Sequence, residues 1–291
     1  MPGPKVRLFR LYYRFSNWLR WLGRYSKRPT STLQLPGPAG PVAARLYGGA
    51  GVAERPLILY FHGGGWVIGD LQTHHPFCQA LAERCQVNVL AVDYRLAPEH
   101  PYPAAQEDCL AAAEWAAQRL EDLGPNNGAM VIAGDSAGGN LTAVTCLGLS
   151  DPARAVLAGA VTIYPAVDHY ESGWLSYTER ARARPLTFNI MRWFWDTYLA
   201  GRTPAEAMAA RPIHSDRLHA LPPLFNITAE FDPLRDEGRA FAKAAVAAGV
   251  ATRSRHFERA AHGFACSSGP NRDHRSFLDD LAMWLDELPA A

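Results

Sequence analysis

The 291-residue sequence has no apolar run near the roughly 18 residues needed to span a bilayer, no low-complexity tract and no internal repeat. Arg10, Arg14 and Arg20 interrupt any apolar stretch at the N-terminus, and no small-residue cleavage site follows, so a secretory leader is not expected. Cysteine is scarce. Five residues, odd in number and scattered (Cys78, Cys85, Cys109, Cys146, Cys266), exclude a disulfide framework and a metal-ligand cluster. They read as small buried thiols in a reducing compartment, which makes the cytoplasm the default. Net charge is also nearly absent, at +1, so nothing global points to nucleic acid. Acid is missing locally: residues 1–28 hold eight basic residues and no carboxylate. The rest of the chain then has 21 basic against 28 acidic residues. A basic head precedes an acidic body.

What is present is a 48% hydrophobic, 20% charged chain of ordinary globular composition. Apolar runs at 57–61, 87–92 and 130–133 predict strands buried on both faces, 156–163 and 224–229 read as further strands, and 252–257 as a late strand. Helical spacing predicts helices at 7–22, 76–84, 104–120, 138–149, 234–248 and 275–288. The alternation argues for an α/β fold with a mostly parallel, doubly wound sheet. Between Tyr164 and Leu224 the rhythm breaks for nearly sixty residues, far more than a crossover needs. That stretch holds Trp174, Tyr177, Phe188, Trp193, Phe194, Trp195 and Tyr198, and reads as a helical cap in preference to a second layer of core. The expected organisation is an N-terminal part of the cap at 1–45, a core at 46–165 and 216–291, and a cap insertion at 166–215.

The sharpest motif is Gly134-Asp135-Ser136-Ala137-Gly138, between a short apolar strand and a helix. That context is what a nucleophile elbow requires: the serine occupies a strained turn, and the flanking glycines remove side chains that would collide there. The turn aims the hydroxyl toward the N-terminus of the following helix, where free N–H groups favour negative charge. Upstream, His62-Gly63-Gly64-Gly65 follows the 57–61 strand directly. A phosphate loop is excluded there, since no Lys-Ser/Thr follows and the G-x-G-x-x-G order is missing. The N–H groups of Gly63, Gly64 or Gly65, with that of Ala137, are the expected oxyanion hole.

A serine nucleophile needs a base, and the base needs an orienting acid. Asp232 lies just beyond the 224–229 strand, and His262 soon after the 252–257 strand. Glu230 is expected to point away, His256 to be structural, and His274 to begin the last helix. Ser136, Asp232 and His262 are therefore the expected catalytic set, with neither metal nor organic cofactor.

Five motifs in order resemble the hormone-sensitive-lipase family of bacterial carboxylesterases. They are His62 to Asp70, Asp93-Tyr94-Arg95-Leu96-Ala97-Pro98-Glu99, Gly134 to Asn140, Asp232-Pro233-Leu234-Arg235-Asp236, and His262-Gly263-Phe264. The likeness runs from about residue 45 to 285. It implies the α/β-hydrolase fold and hydrolysis of short- to medium-chain acyl esters through an acyl-enzyme. It also implies a cap built from the N-terminal helices plus 165–215, and a structural polar cluster of Asp93, Arg95 and Glu99. A small-molecule ester is the expected partner. Lactones and amides stay open as substrates, as does a receptor use of the same fold. The oligomeric state stays open too, a homodimer included.

The basic head has two readings. As part of the cap, its apolar stripe of Leu8, Leu11, Phe15, Leu19 and Leu22 would cover the active site and leave the arginines in water. As an interfacial helix, with Trp18 and Trp21 among eight cations, it would give a weak peripheral membrane contact through residues 1–28. The cap reading is the expectation carried forward.

Overall fold

The computed structural model describes residues 3–22, 30–48, 55–266 and 269–288. Arg24, Lys27 and Arg28 of the basic head lie outside the described residues. The element order is α1 (Pro4–Trp21), β1 (Thr30–Leu35), β2 (Val42–Tyr47), β3 (Leu57–Phe61), α2 (His75–Arg84), β4 (Val89–Val92) and α3 (Ala104–Ala117). There follow β5 (Met130–Asp135), α4 (Ala137–Gly148), α5 (Asp151–Ala155), β6 (Leu157–Ile163), α6 (Leu175–Glu179) and α7 (Phe188–Leu199). The described chain closes with β7 (Leu224–Phe231), α8 (Arg235–Ala247), β8 (Thr252–Ala261) and α9 (Arg272–Asp286).

One eight-stranded sheet carries the order β1-β2-β4-β3-β5-β6-β7-β8. β2 pairs antiparallel with β1 and β4, and every other pairing is parallel. β1 and β2 escape sequence reading because their patterns are mixed: β1 is mostly exposed, and β2 alternates without a continuous apolar run. The central strands β3 to β6 are buried at every position, which is why their sequences are unbroken apolar runs.

Because side chains alternate across a strand, the two faces of the sheet make separate cores. Leu57, Leu59 and Phe61 of β3 face one core, shared with α3, α4, α8 and the aromatic side chains of α7. Ile58 and Tyr60 face the other, shared with α2, α9 and Trp21 of α1. Trp66, beyond the glycine loop, stacks on Tyr198 at 4.4 Å and meets Trp195 at 4.5 Å, so the 175–199 helices are packed onto the strand ends.

Helix α1 forms where its pattern predicts, but turned about its axis. Leu8, Leu11, Tyr12, Phe15, Trp18, Leu19 and Leu22 are exposed, while Val6, Asn17 and Trp21 are buried. The expectation that the leucine stripe covers the active site is therefore corrected. Arg10 turns inward because it finds acceptors there, while Arg7, Arg14 and Arg20 stay exposed. Arg10 forks onto Glu99 at 2.6 and 2.9 Å and also donates to the carbonyls of Val67 and Ala97. Arg14 donates to Asp70 at 2.5 Å. Phe9 stacks on Phe194 from the same inward side. Charge-assisted, bidentate geometry outweighs the gain from turning the leucines in.

The expected cluster of Asp93, Arg95 and Glu99 is likewise corrected, since the three do not meet as one group. Arg95 pairs with Asp108 and Glu107, and Glu99 with Arg10. Burial pushes the Asp93 carboxyl up to about 6.

Glu237, fully buried on α8, anchors the 165–180 segment. Its Oε1 accepts the amides of Val167 (2.7 Å) and Asp168 (3.2 Å), and its Oε2 accepts the Tyr177 hydroxyl. Burial pushes this carboxyl well above the ordinary glutamate range. A raised folded-state value means that its stabilisation is complete below the unfolded glutamate pKa of about 4.3 and is lost as pH rises. Glu237→Gln keeps an acceptor for the two amides without the titration. The difference in Tm between variant and wild type should therefore grow in the variant's favour from pH 5 to pH 8, as read by scanning calorimetry. Glu237→Ala, which strands both amides, should lose about 2–4 kcal/mol.

Candidate active site

Strand β5 delivers Ser136 at its C-terminal end, and α4 starts one residue later. The serine takes φ 56° and ψ −117°, a conformation L-residues avoid and a strain that the surrounding packing must hold. The glycines on either side are sterically required. A Cβ on Gly134 would lie 2.3 Å from the Gly138 carbonyl oxygen, and one on Gly138 would lie 2.0 Å from that of Phe61. The elbow and the end of β3 are thus in backbone contact.

The expected catalytic set converges. His262 Nε2 lies 3.0 Å from Ser136 Oγ, and His262 Nδ1 lies 2.7 Å from Asp232 Oδ2. Asp232 is fully buried, and its second oxygen accepts the Leu234 amide at 2.9 Å, which fixes the carboxylate plane. Glu230 is occupied elsewhere: it pairs with Arg180, Arg235 and His256. Burial raises its carboxyl, but hydrogen bonds from Arg180 and His256 and the charge of Arg235 prevail and hold it at about 2. His256 spans Glu230 and Thr228, and His274 bonds the Ala265 carbonyl; both are structural.

The glycine loop needs one correction. The Gly63 N–H donates to Asp135 Oδ1 at 2.8 Å, so it is not directed at a ligand. Gly64 and Gly65 adopt φ +122° and +58° and line the same cavity as Ser136 and His262. Ala137 is the first residue of α4, where no intrahelical acceptor exists for its N–H. Of the expected oxyanion-hole residues, Gly64, Gly65 and Ala137 remain candidates.

Asp135 is the residue that sequence reading passed over, although it stands inside the pentapeptide. It is buried and accepts from Tyr60 Oη (2.5 Å) and the Gly63 amide, with His74 Nε2 at 3.5 Å. Burial works against its charge, yet His74, Tyr60 and the Gly63 amide hold its carboxyl below the ordinary range. His62 stacks on Tyr94 at 4.3 Å, and its Nδ1 pairs with the Gly63 carbonyl. Burial and the neighbouring His74 push this imidazole down to about 4. The available signal was an acid beside the serine together with histidines at 62 and 74, and only the fold brings them to one point.

Above this floor lies a cavity of about 590 Å³. Phe9 and Tyr13 of α1 and Leu186, Ile190 and Phe194 wall it, with Arg20 and Arg184 also lining it. The Phe194 ring lies directly over Gly65, where a Cβ would come within 2.1 Å of it. Among the described residues no cluster of His, Cys, Asp or Glu could hold a metal ion.

A serine, a histidine and a buried aspartate in hydrogen-bonded series is an arrangement for acyl transfer. Comparison with known proteins points the same way. A family model described as alpha/beta hydrolase fold matches residues 58–266. Carboxylic ester hydrolase LipN of Mycobacterium tuberculosis (strain ATCC 25618 / H37Rv) is 40% identical over 280 residues, covering 91% of this chain and 66% of its own length. Carboxylesterase NlhH of the same strain is 38% identical over 213 residues, covering 72% of this chain and 66% of its own. The chain thus spans just under two thirds of each of these relatives. A solved esterase of Pyrobaculum calidifontis superposes with a TM-score of 0.90 at 35% identity, over 99% of this chain and 94% of that one.

Asp135→Asn tests the pinning of the glycine loop. It keeps the shape but weakens the grip on Gly63, so kcat should fall about 10- to 100-fold with KM changed little, as expected when a transition-state contact is loosened. Steady-state kinetics on a soluble ester, with circular dichroism as the folding control, check it.

Proposed function

The chain belongs to the α/β-hydrolase family, and on that premise we propose that it is a serine carboxylesterase that hydrolyses short- to medium-chain acyl esters through an acyl-enzyme. The observation that carries the reading is the hydrogen-bonded series from Ser136 through His262 to Asp232, with spacings of 3.0 and 2.7 Å, at the floor of the 590 Å³ cavity. In this reading His262 takes the Ser136 proton as the oxygen attacks the ester carbonyl. The carbonyl oxygen gains negative charge and is met by the N–H groups of Gly64, Gly65 and Ala137, each such donor worth about 3–4 kcal/mol. The imidazolium returns its proton to the departing alcohol, leaving Ser136 acylated. Water then enters, loses a proton to His262 and releases the acid. Asp232 keeps Nδ1–H fixed toward itself, so that Nε2 is the basic nitrogen, and it stabilises the imidazolium. Side chains and backbone carry every step.

The finer parts of the proposal rest on the walls. Residues 1–45 and 166–215 act as the cap, and Phe9, Leu186 and Phe194 limit the length of acyl chain that fits. The small-molecule ester is the principal partner, and residues 1–28 add a weak peripheral membrane contact. The cytoplasm is the compartment, a reading supported by five free cysteines, all buried. Among the described residues no helix is long and apolar enough to cross a membrane.

Ser136→Ala should lower kcat by up to about a millionfold while the protein stays folded. Residual turnover of a few per cent in the purified variant would reject the nucleophile. Asp232→Asn should depress turnover strongly with unchanged circular dichroism, since it disturbs the tautomer and leaves the packing. Measured on a series of p-nitrophenyl esters, kcat/KM should peak at short or medium chains. Phe194→Ala should move that peak to longer chains while lowering stability by about 3 kcal/mol. A wild-type maximum at palmitate would overturn the chain-length reading.

A further inference from the structure

We propose that the outward face of α1 seats this enzyme on an anionic lipid surface, with the active-site cavity opening at the edge of that face, so that the ester enters from the lipid–water interface. The entry route rests on the esterase reading, whereas the lipid contact itself stands apart from it.

The seven outward side chains of α1 are between 49% exposed, at Trp18, and 70%, at Leu8. At 3.6 residues per turn they fall within an arc of about 120° on one side of the helix. Scattered surface leucines need no explanation, but a contiguous apolar face of this kind on a folded protein marks a contact. The order around the arc is informative. Trp18 and Tyr12 form its two edges, and the leucines and Phe15 fill its centre. Aromatic rings with one polar atom at the rim of an apolar face suit a headgroup layer, where ring and polar atom can both be satisfied.

Charge selects the occupant. Lys5 lies beyond the Tyr12 edge and Arg7 beyond the Trp18 edge, where Arg14 is already paired with Asp70, and residues 1–53 carry no acid. Two copies packed through this face would bring cationic flanks together with no carboxylate on either helix to answer them. An anionic lipid surface answers them directly.

The face is also continuous with the active site. Tyr12 belongs to its edge and at the same time lines the cavity that holds Ser136 and His262, and Ser16 and Arg20, next around the helix, line it as well. The inward side of α1 is clamped to the glycine-loop region by Arg10, through Val67, Ala97 and Glu99. Docking of the outer face thus fixes where the cavity mouth lies. The substrate class is an ester of an amphipathic molecule that partitions into the bilayer, with an acyl arm short enough for the cavity.

The test uses the full chain and the triple variant L11S/F15S/L19S, whose positions are exposed and do not line the cavity. Cosedimentation is measured with phosphatidylcholine vesicles, alone and with about a third phosphatidylglycerol. Wild type should bind the anionic vesicles and release in high salt, and the variant should bind at least about tenfold more weakly. Both proteins should have the same kcat/KM on a water-soluble p-nitrophenyl ester, and only wild type should be accelerated on an ester dissolved in anionic vesicles. Absence of wild-type binding at low salt, or equal binding by the variant, overturns the proposal. So does a wild-type dimer in light scattering that the variant dissociates, which would assign the face to a second copy. Vesicle binding that depends on the three residues, in a protein without turnover of soluble esters, supports the lipid surface and rejects the esterase reading instead.

Discussion

The carboxylate of Asp135 joins the two loops on which any chemistry here depends. It leaves the nucleophile elbow one residue before Ser136 and holds the amide of Gly63, the first glycine of the loop after β3. Burying a charge is costly unless it is met by partners. Here Tyr60, the Gly63 amide and His74 surround it. Without that tie, a serine held in a strained turn and a loop of three glycines would move independently. With it, the amides of Gly64, Gly65 and Ala137 keep a constant relation to the serine oxygen. Preorganised donors are effective because no reorganisation is left for the moment of reaction.

The sheet supplies the rest of the geometry. Ser136, Asp232 and His262 directly follow β5, β7 and β8, with β6 between the first two, so parallel pairing sets their spacing. Over that rigid edge lies a roof of different character. The 175–199 helices are tied down by aromatic stacking on Trp66 and by the buried Glu237, whereas α1 is tied by Arg10 and Arg14. Polar clamps on a helix leave its apolar side free to face outward. A protein of this build has a hard floor and a roof whose outer surface is available for contact.

Much of this was legible in the chain. Buried parallel strands need continuous apolar runs, so β3 to β7 stand out. The elbow needs glycines at fixed offsets, so Gly134 and Gly138 point to Ser136. Strand ends are natural places for catalytic side chains, so Asp232 and His262 could be picked over Glu230 and His256. β1 and β2 were not visible, because an exposed or half-exposed edge imposes no apolar run.

The sequence by itself determined the fold class and singled out Ser136, Asp232 and His262, because each follows from local rules of periodicity, strain and strand-end position. Only the tertiary structure decided that Gly63 serves Asp135 and not a ligand, since that bond joins residues 72 positions apart. It also decided which way α1 turns. The periodicity of a helix reveals that it has an apolar side, but Glu99 drew Arg10 inward and Asp70 held Arg14 at the rim. The leucines were left outside because ion-pair geometry, which no periodicity encodes, was satisfied first.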